Sequence, residues 1–293
     1  MERFLQYIIS GLSVGSLYAL VAMGLSLIYR STRILNFSHG DMASAGTFFA
    51  LTLIGLSLPF GLAAIAALLF GSILAMAFYF SILVPAQRRE ATPMGQIILT
   101  LGLSLIIQGL VARLWGTEPQ SFPFPLSDSR VLKLGGVVIS ELSLGTIGVG
   151  VAGSLCLYLL IQRTSLGLAM RATSENLQAA QTLGIPTRRV LAFSWGVAAL
   201  SGVLAGLFLA PVLLLDPFFM LEPFLKGFTG AILGGLNSLP GAILGGLILG
   251  VAEGLAGGYI SVAFKNTMAF VIIILVLLVR PEGLLGEEFR ERV

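Results

Sequence analysis

The chain of 293 residues is 56% hydrophobic and only 11% charged, where a soluble domain carries about 25% charged residues, so water cannot be its main solvent. The mean hydropathy of +0.97 agrees. Single Cys156 excludes an intrachain disulfide, single His39 excludes a multi-histidine metal cage, and a net charge of +3 from scattered basic residues leaves no nucleic-acid footprint.

A membrane span takes roughly 20 mainly apolar residues. Stretches of that kind lie near 5–29, 38–57, 60–84, 95–115, 141–162, 190–214, 224–238, 241–260 and 264–280. They predict an all-α polytopic integral membrane protein, a single transmembrane domain over 1–293 in the lipid bilayer. About nine helices are expected, within a range of eight to ten. The first stretch is too long for a signal peptide and reads as a retained anchor. Within it, Gly11-Leu12-Ser13-Val14-Gly15 matches the G-x-S-x-G nucleophile elbow. That motif needs a strand-to-helix turn and a His–acid pair; inside an apolar helix, small residues more simply serve packing.

A polar cluster, Asn36, Ser38, His39 and Asp41, precedes the second stretch. Ser38 and Asp41 fit the Ser/Thr-x-x-Asp/Glu capping-box spacing, which needs no more than a well-capped helix start. Alternatively, exposed N–H groups there, with Asn36 and His39 beside them, attract a substrate carboxylate, as discontinuous transporter helices do.

The connection over 116–140 carries Pro119, Pro123 and Pro125, which forbid a continuous helix. The loop over 162–189 is more informative. Ser174 or Asn176 can cap a short helix by accepting a backbone N–H. The run from Glu175 through Asn176 to Leu183 has neither Gly nor Pro and presents Leu177, Ala180 and Leu183 on one side. Gly184 supplies the left-handed residue at which helices stop, Ile185 folds back on the last turn, and Pro186 prevents continuation. An amphipathic connector satisfies these features, but a docking element for a partner gives the helix a task.

Further on, the seventh stretch is short and glycine-rich, as a half-helix or re-entrant segment would be. Asn237, Ser238, Pro240 and Gly241 then make a turn and a helix start, with Pro in the first turn. Gly246, Gly250, Gly254 and Gly258 recur every four residues, with Gly241 and Gly245 before them. That spacing forms a groove in which another backbone can approach closely. Gly202 and Gly206 repeat the spacing on another span. Glu253 lies within its span, where an ionised group costs roughly 2.5–3.5 kcal/mol unless it faces a cavity or a partner. It lines a pathway or bonds to a facing helix.

Orientation follows the basic residues of short loops. Alternation along nine spans puts Arg30, Arg33, Arg88, Arg89, Arg163, Arg171, Arg188, Arg189, Arg280, Arg290 and Arg292 on one face. The other face receives Arg3, Arg113, Arg130, Lys133, Lys226 and Lys265. The richer face is expected to be cytoplasmic, which places the N-terminus outside and the C-terminus inside.

Three segments carry a family resemblance: GLSVGSLYALVAMGLSLIYRSTRILNFSHGDM at 11–42, SLGLAMRATSENLQAAQTLGIPTRRV at 165–190, and FTGAILGGLNSLPGAILGGLILGVAEGL at 228–255. The last is followed by an apolar span and RPEGLLG at 280–286. Together they resemble the branched-chain amino acid permeases of the LivH type, which belong to the ABC importers, and they bracket almost the whole chain. Ser38 and Asp41 depart mildly from that family, which often has Ala and Glu there.

The resemblance implies a single permease domain of a bacterial inner membrane, importing branched-chain or other apolar amino acids. Its coupling helix would be Glu175 to Leu183 with Gly184 and Ile185, and the pathway candidates are Asn36, Ser38, His39, Asp41 and Glu253. The implied partners are two cytoplasmic ATPase subunits, which use ATP and Mg, a homologous second permease and a periplasmic solute-binding protein. This chain has no GxxxxGK(S/T) phosphate loop, so it is not expected to be an enzyme or to bind a cofactor. Two alternatives stand beside this reading: a permease of the same class moving urea or short amides, and an ion-coupled secondary transporter using Glu253 or Asp41.

Overall fold

In a computed structural model, residues 1–134, 136–261, 264–280 and 282–286 are described. Arg290 and Arg292, counted in the charge asymmetry, and Pro281 of the terminal motif lie outside the described residues.

Each of the nine apolar stretches forms a helix. In chain order these are α1 (Glu2–Thr32), α2 (His39–Gly55), α3 (Phe60–Phe78) continuing into α4 (Val84–Arg88), and α5 (Pro93–Trp115). After a strand pair, β1 (Val131–Leu134) and β2 (Val137–Ser140), come α6 (Glu141–Arg163), the short α7 (Ser165–Glu175) and α8 (Leu177–Thr182). The chain continues with α9 (Thr187–Leu213), α10 (Leu221–Gly234), α11 (Leu239–Tyr259) and α12 (Phe264–Val279).

Among the described residues, 6 helices are long and apolar enough to cross a membrane: α1, α3 with α4, α5, α6, α9 and α11. The other three expected spans are short, with 17, 14 and 16 residues in α2, α10 and α12. At 1.5 Å per residue, α10 is about 21 Å long and falls short of a hydrocarbon core about 30 Å thick. The protein is a polytopic all-α membrane protein.

Local chemistry explains the boundaries. Thr92 accepts the Gly95 N–H at 3.1 Å and Pro93 follows it at the helix start, so α5 begins there. Pro85 has no N–H to donate and its ring crowds the carbonyl four residues back. The helix widens to a π-turn over Tyr79–Leu83, just ahead of it. The expected turn at 237–241 is present, with Ser238 accepting the Gly241 N–H at 3.2 Å. Among its described residues the connection over 116–140 has no helix, and its last third pairs as an antiparallel hairpin with Val131 opposite Ser140.

The chain forms two compact units. One comprises Met1–Ser26, Leu126–Ser154 and Leu225–Val293; the other comprises Leu27–Pro125 and Leu155–Phe224. In the second unit α2, α3 and α9 pack on one another, with Val203 of α9 filling the space left open by Gly46 of α2 and Gly71 of α3. In the first unit α11 packs against residues 2–26 of α1 and against α10 from residue 225 onward. Leu284 and Leu285 of the terminal motif donate to the last carbonyls of α10, Leu233 at 2.8 Å and Gly234 at 3.0 Å. A helix end would otherwise leave those acceptors unpaired, which gives the RPEGLLG motif a structural task.

Candidate functional site

The helical path breaks between α1 and α2, and polar residues gather at the break in the second unit. Asn36 closes the turn: its Oδ1 accepts the Ser38 N–H at 3.1 Å and the Ser38 hydroxyl at 2.7 Å. Ser38 therefore spends its hydroxyl on Asn36 and makes no side-chain cap bond to α2, which corrects the capping-box expectation. Asp41 does not close a box either; its Oδ1 accepts from Gln108 Nε2 at 3.0 Å.

Gln108 belongs to a polar stripe on α5 made by Thr100, Ser104 and Gln108, four residues apart and so on one face. Thr100 Oγ1 accepts the Phe37 N–H at 3.2 Å and holds the unwound segment against α5. Sequence reasoning passed over this stripe, although its spacing of four inside an otherwise apolar span was readable. His39 is 1% exposed and turns toward α9, where Gly202 leaves room for the ring. Neither ring nitrogen has a hydrogen-bond partner among the described residues, and neither has Asn36 Nδ2. The four predicted residues thus share one break but face three ways: Asn36 with Ser38, Asp41 onto α5, and His39 onto α9.

Glu253 of α11, in the first unit, is 1% exposed. Its Oε1 lies 3.2 Å from Lys226 Nζ of α10, and its Oε2 accepts from the Tyr18 hydroxyl of α1 at 3.1 Å. Lys226 Nζ also sits 5.6 Å from the Tyr18 ring centroid, within reach of a cation–π contact. Lys226 is therefore a buried partner within a short helix, not a loop residue of one membrane face, and its place in the charge asymmetry is corrected. A buried ion is tolerated where its charge is matched and its remaining lone pairs are bonded, and this triad ties three helices together.

The glycine stripe of α11 is a close contact. Alanine Cβ atoms at Gly246, Gly250 and Gly254 would run into the α1 backbone around Ala19, Gly15 and Gly11, and one at Gly258 would meet the Tyr7 ring. Gly11 and Gly15 reciprocate against the α11 backbone, so the elbow-like sequence on α1 is packing surface. The other α11 face, Gly241 and Gly245, meets Gly234 and Gly230 of α10 in the same way.

The 162–189 loop holds two helices where one was expected. Thr164 caps α7 through Gly167 N–H at 3.0 Å, and α7 runs through Glu175. Asn176 caps α8 by accepting the Ala179 N–H at 2.9 Å. Gly184 is left-handed at φ 80°, and Ile185 N–H folds back to the Ala180 carbonyl at 3.0 Å. Leu177 and Leu183 project from α8, 45% and 80% exposed, but Ala180 is 2% exposed. Ala180 is thus an anchor of α8 within its own unit and no part of an outward face. Beneath α8 opens a cavity of about 420 Å³ lined by Arg30, Ser31, Thr32, Arg33, Gln87, Ala91, Gln96, Thr173, Ser174, Leu177 and Leu191. Partial burial draws the Arg33 guanidinium below its ordinary value, Tyr29 opposes that and Arg30 adds to it; a guanidinium stays charged regardless.

Comparison with known proteins gives a consistent result. The family of branched-chain amino acid transport system permease components matches residues 7–279. The chain is 34% identical over 306 residues to the high-affinity branched-chain amino acid transport system permease protein LivH of Escherichia coli (strain K12), covering 99% of this chain and 98% of that one. It is 34% identical over 302 residues to the corresponding BraD protein of Pseudomonas aeruginosa, with the same coverage. A probable branched-chain amino acid transport permease of Methanocaldococcus jannaschii is 30% identical over 94% of this chain and 90% of its own length.

Proposed function

We propose that this chain, which belongs to the branched-chain amino acid transport permease family, is the membrane subunit of an ATP-driven importer of branched-chain or related apolar amino acids. It resides in a bacterial inner membrane and works with two cytoplasmic ATPase subunits, a homologous second permease and a periplasmic solute-binding protein. The ATPases, not this chain, use ATP and Mg. With Lys226 assigned to the ion pair, the basic excess of the face carrying the α7–α8 loop grows. That supports a cytoplasmic loop, a periplasmic N-terminus and a cytoplasmic C-terminus.

The observation that carries the ATP-driven reading, beyond membership of the family, is α8. It is capped at its start by Asn176 and stopped at left-handed Gly184. Buried Ala180 holds it from within, while Leu177 and Leu183 are turned outward. A rigid short helix with two exposed leucines is suited to transmit a push from a partner, because it moves as a body with α7 and α9, against which it packs. The solute pathway is expected along the break before α2, where Asn36 Nδ2 and His39 hold unused hydrogen-bonding capacity. Glu253 is committed to Lys226 and Tyr18, which argues against an ion relay through it.

Reconstitution tests the reading. Radiolabelled leucine uptake is measured in proteoliposomes containing this chain, the ATPases, the second permease and the binding protein, with and without internal ATP. Uptake that needs every component and ATP is the expected result. Uptake by this chain alone under an ion gradient overturns it.

A further inference from the structure

The end of α9 away from α8 is closed by a strap with a single latch. In the second unit α2, α5 and α9 end there and α3 begins, and the segment 116–125 runs across them. Gln120 N–H donates to the Leu215 carbonyl at 2.9 Å and Leu215 N–H donates back at 2.8 Å, an antiparallel bridge of one residue pair. Gln120 Nε2 also donates to the Trp115 carbonyl at 2.6 Å, and Trp115 Nε1 donates to Thr52 Oγ1 at 2.8 Å. These bonds tie the bridge to the ends of α5 and α2. Further along, the Phe124 ring centroid stands 4.9 Å from that of Phe60 at the start of α3 and 5.1 Å from that of Phe208 near the end of α9.

Several features mark this closure as one that opens. The helices beneath it are interlocked: Val203 fills the space at both Gly46 and Gly71, so α2, α3 and α9 cannot part without leaving voids. The strap is held by one bridged pair, one amide and a few ring contacts, and segments with so few bonds open locally at low cost. Leu214, beside the bridge, has φ 56° and ψ 150°. That region is left almost entirely to glycine, and strain of this kind gathers where a segment switches. Just before it, Pro211 has no N–H for the Leu207 carbonyl, which loosens the last turn of α9. We propose that the strap is the outer gate of the solute path in this unit, released when α9 moves. α2 runs from the break where that path is expected to the end that the strap covers. The chain passes from α8 through a short turn into α9 and from α9 directly into Leu214. A push on α8 therefore reaches the latch along one helix of 27 residues, about 40 Å long, and rigid elements carry coupling between distant sites. This role deepens the importer reading and rests on it.

The test locks the latch. In a Cys156→Ser chain, Gln120→Cys with Leu215→Cys puts two thiols on a hydrogen-bonded antiparallel pair, whose Cα atoms stand about 5.5 Å apart, within disulfide reach. The chain is reconstituted with the ATPases, the second permease and the binding protein. ATP-driven leucine uptake is measured before oxidation with copper phenanthroline, after it, and after dithiothreitol. Oxidation is expected to abolish uptake and reduction to restore it. Lys133→Cys with Val138→Cys, across the β1–β2 hairpin, is expected to transport equally in both states. Undiminished uptake by the oxidised Gln120–Leu215 variant overturns the gate and leaves the importer reading standing. Absence of ATP-driven uptake by the wild type overturns the importer reading, and the gate with it. Should the double variant fail to fold, hydrogen exchange in the wild-type assembly carries the test. Peptides covering 116–125 and 214–219 are expected to exchange faster during turnover than without nucleotide, and equal exchange overturns the gate.

Discussion

Gly250→Ala isolates the contact between α1 and α11. The added Cβ would overlap the Gly15 Cα and lie 2.5 Å from both the Gly11 carbonyl oxygen and the Gly15 nitrogen, against an ordinary carbon–oxygen contact of about 3.3–3.6 Å. All three neighbours are backbone, so no side chain can swing aside, and the helices must part by at least about 0.8 Å or bend. A gap of about 0.5–1 Å forfeits a quarter to a half of each affected dispersion contact, and overpacking of this kind costs about 1–3 kcal/mol. Helix propensity works the other way, favouring alanine over glycine by about 0.5–1 kcal/mol. Gly257→Ala on the same helix removes that ambiguity. Among the described residues its Cβ would meet only Lys265 side-chain carbons, at 3.8 and 3.9 Å, so it gains the same propensity without the clash. The two variants are therefore expected to differ by about 1–3 kcal/mol, with Gly250→Ala the less stable. Thermal unfolding in matched nanodiscs reads this directly, as a midpoint below wild type for Gly250→Ala and at or above it for Gly257→Ala. Equal midpoints would refute the close-contact argument.

Removing one partner of the buried pair, by Glu253→Gln or Lys226→Met, is expected to cost about 3–5 kcal/mol, because the remaining ion is left buried without its counter-charge. The double variant regains most of that stability in the same unfolding measurement, and additive losses would show that the two residues are not paired. Leu183→Asp and Leu177→Asp are expected to leave insertion intact while ATP hydrolysis by the reconstituted assembly no longer drives uptake; normal uptake would remove the docking role of α8. Ala180→Asp is expected to lower folded yield instead, since it places a carboxylate at a buried position, and a well-folded variant would contradict that burial. Gln108→Leu removes one of the donors that hold the Asp41 carboxylate, beside Ser104, at about 1 kcal/mol, and Gln108→Glu is expected to be worse because it sets two carboxyl groups together. Stability equal to wild type in both variants would show that the α2–α5 bond contributes nothing.

Much of the architecture was legible in the residues because the signals are local. Lipid requires every backbone group to be paired within its own segment, so long apolar runs must be helices, and all nine formed where the runs lie. Caps and stops are similarly local. Asn176, Gly184 and Ser238 act within four residues of themselves, and each took its expected part. The four-residue glycine period on α11 identified a contact face before any partner was known. The same reasoning misassigned Ser38 because a capping-box spacing states only that a bond is sterically possible. Asn36, two residues away, offered its hydroxyl and amide a closer acceptor.

Sequence by itself determined the membrane class, the helices and which faces are small or polar, since each follows from residues a turn or two apart. Tertiary structure alone decided what those faces meet. Asp41 finds Gln108 at a separation of 67 residues, and Tyr18 finds Glu253 at 235. Lys226 became a buried counter-ion when α10 packed on α11, and Ala180 turned inward when α8 settled on α9. A residue's spacing along a helix sets its direction around the axis. The neighbour that meets it there depends on how distant segments pack, and for buried charges in a low-dielectric interior that neighbour determines whether they are tolerated at all.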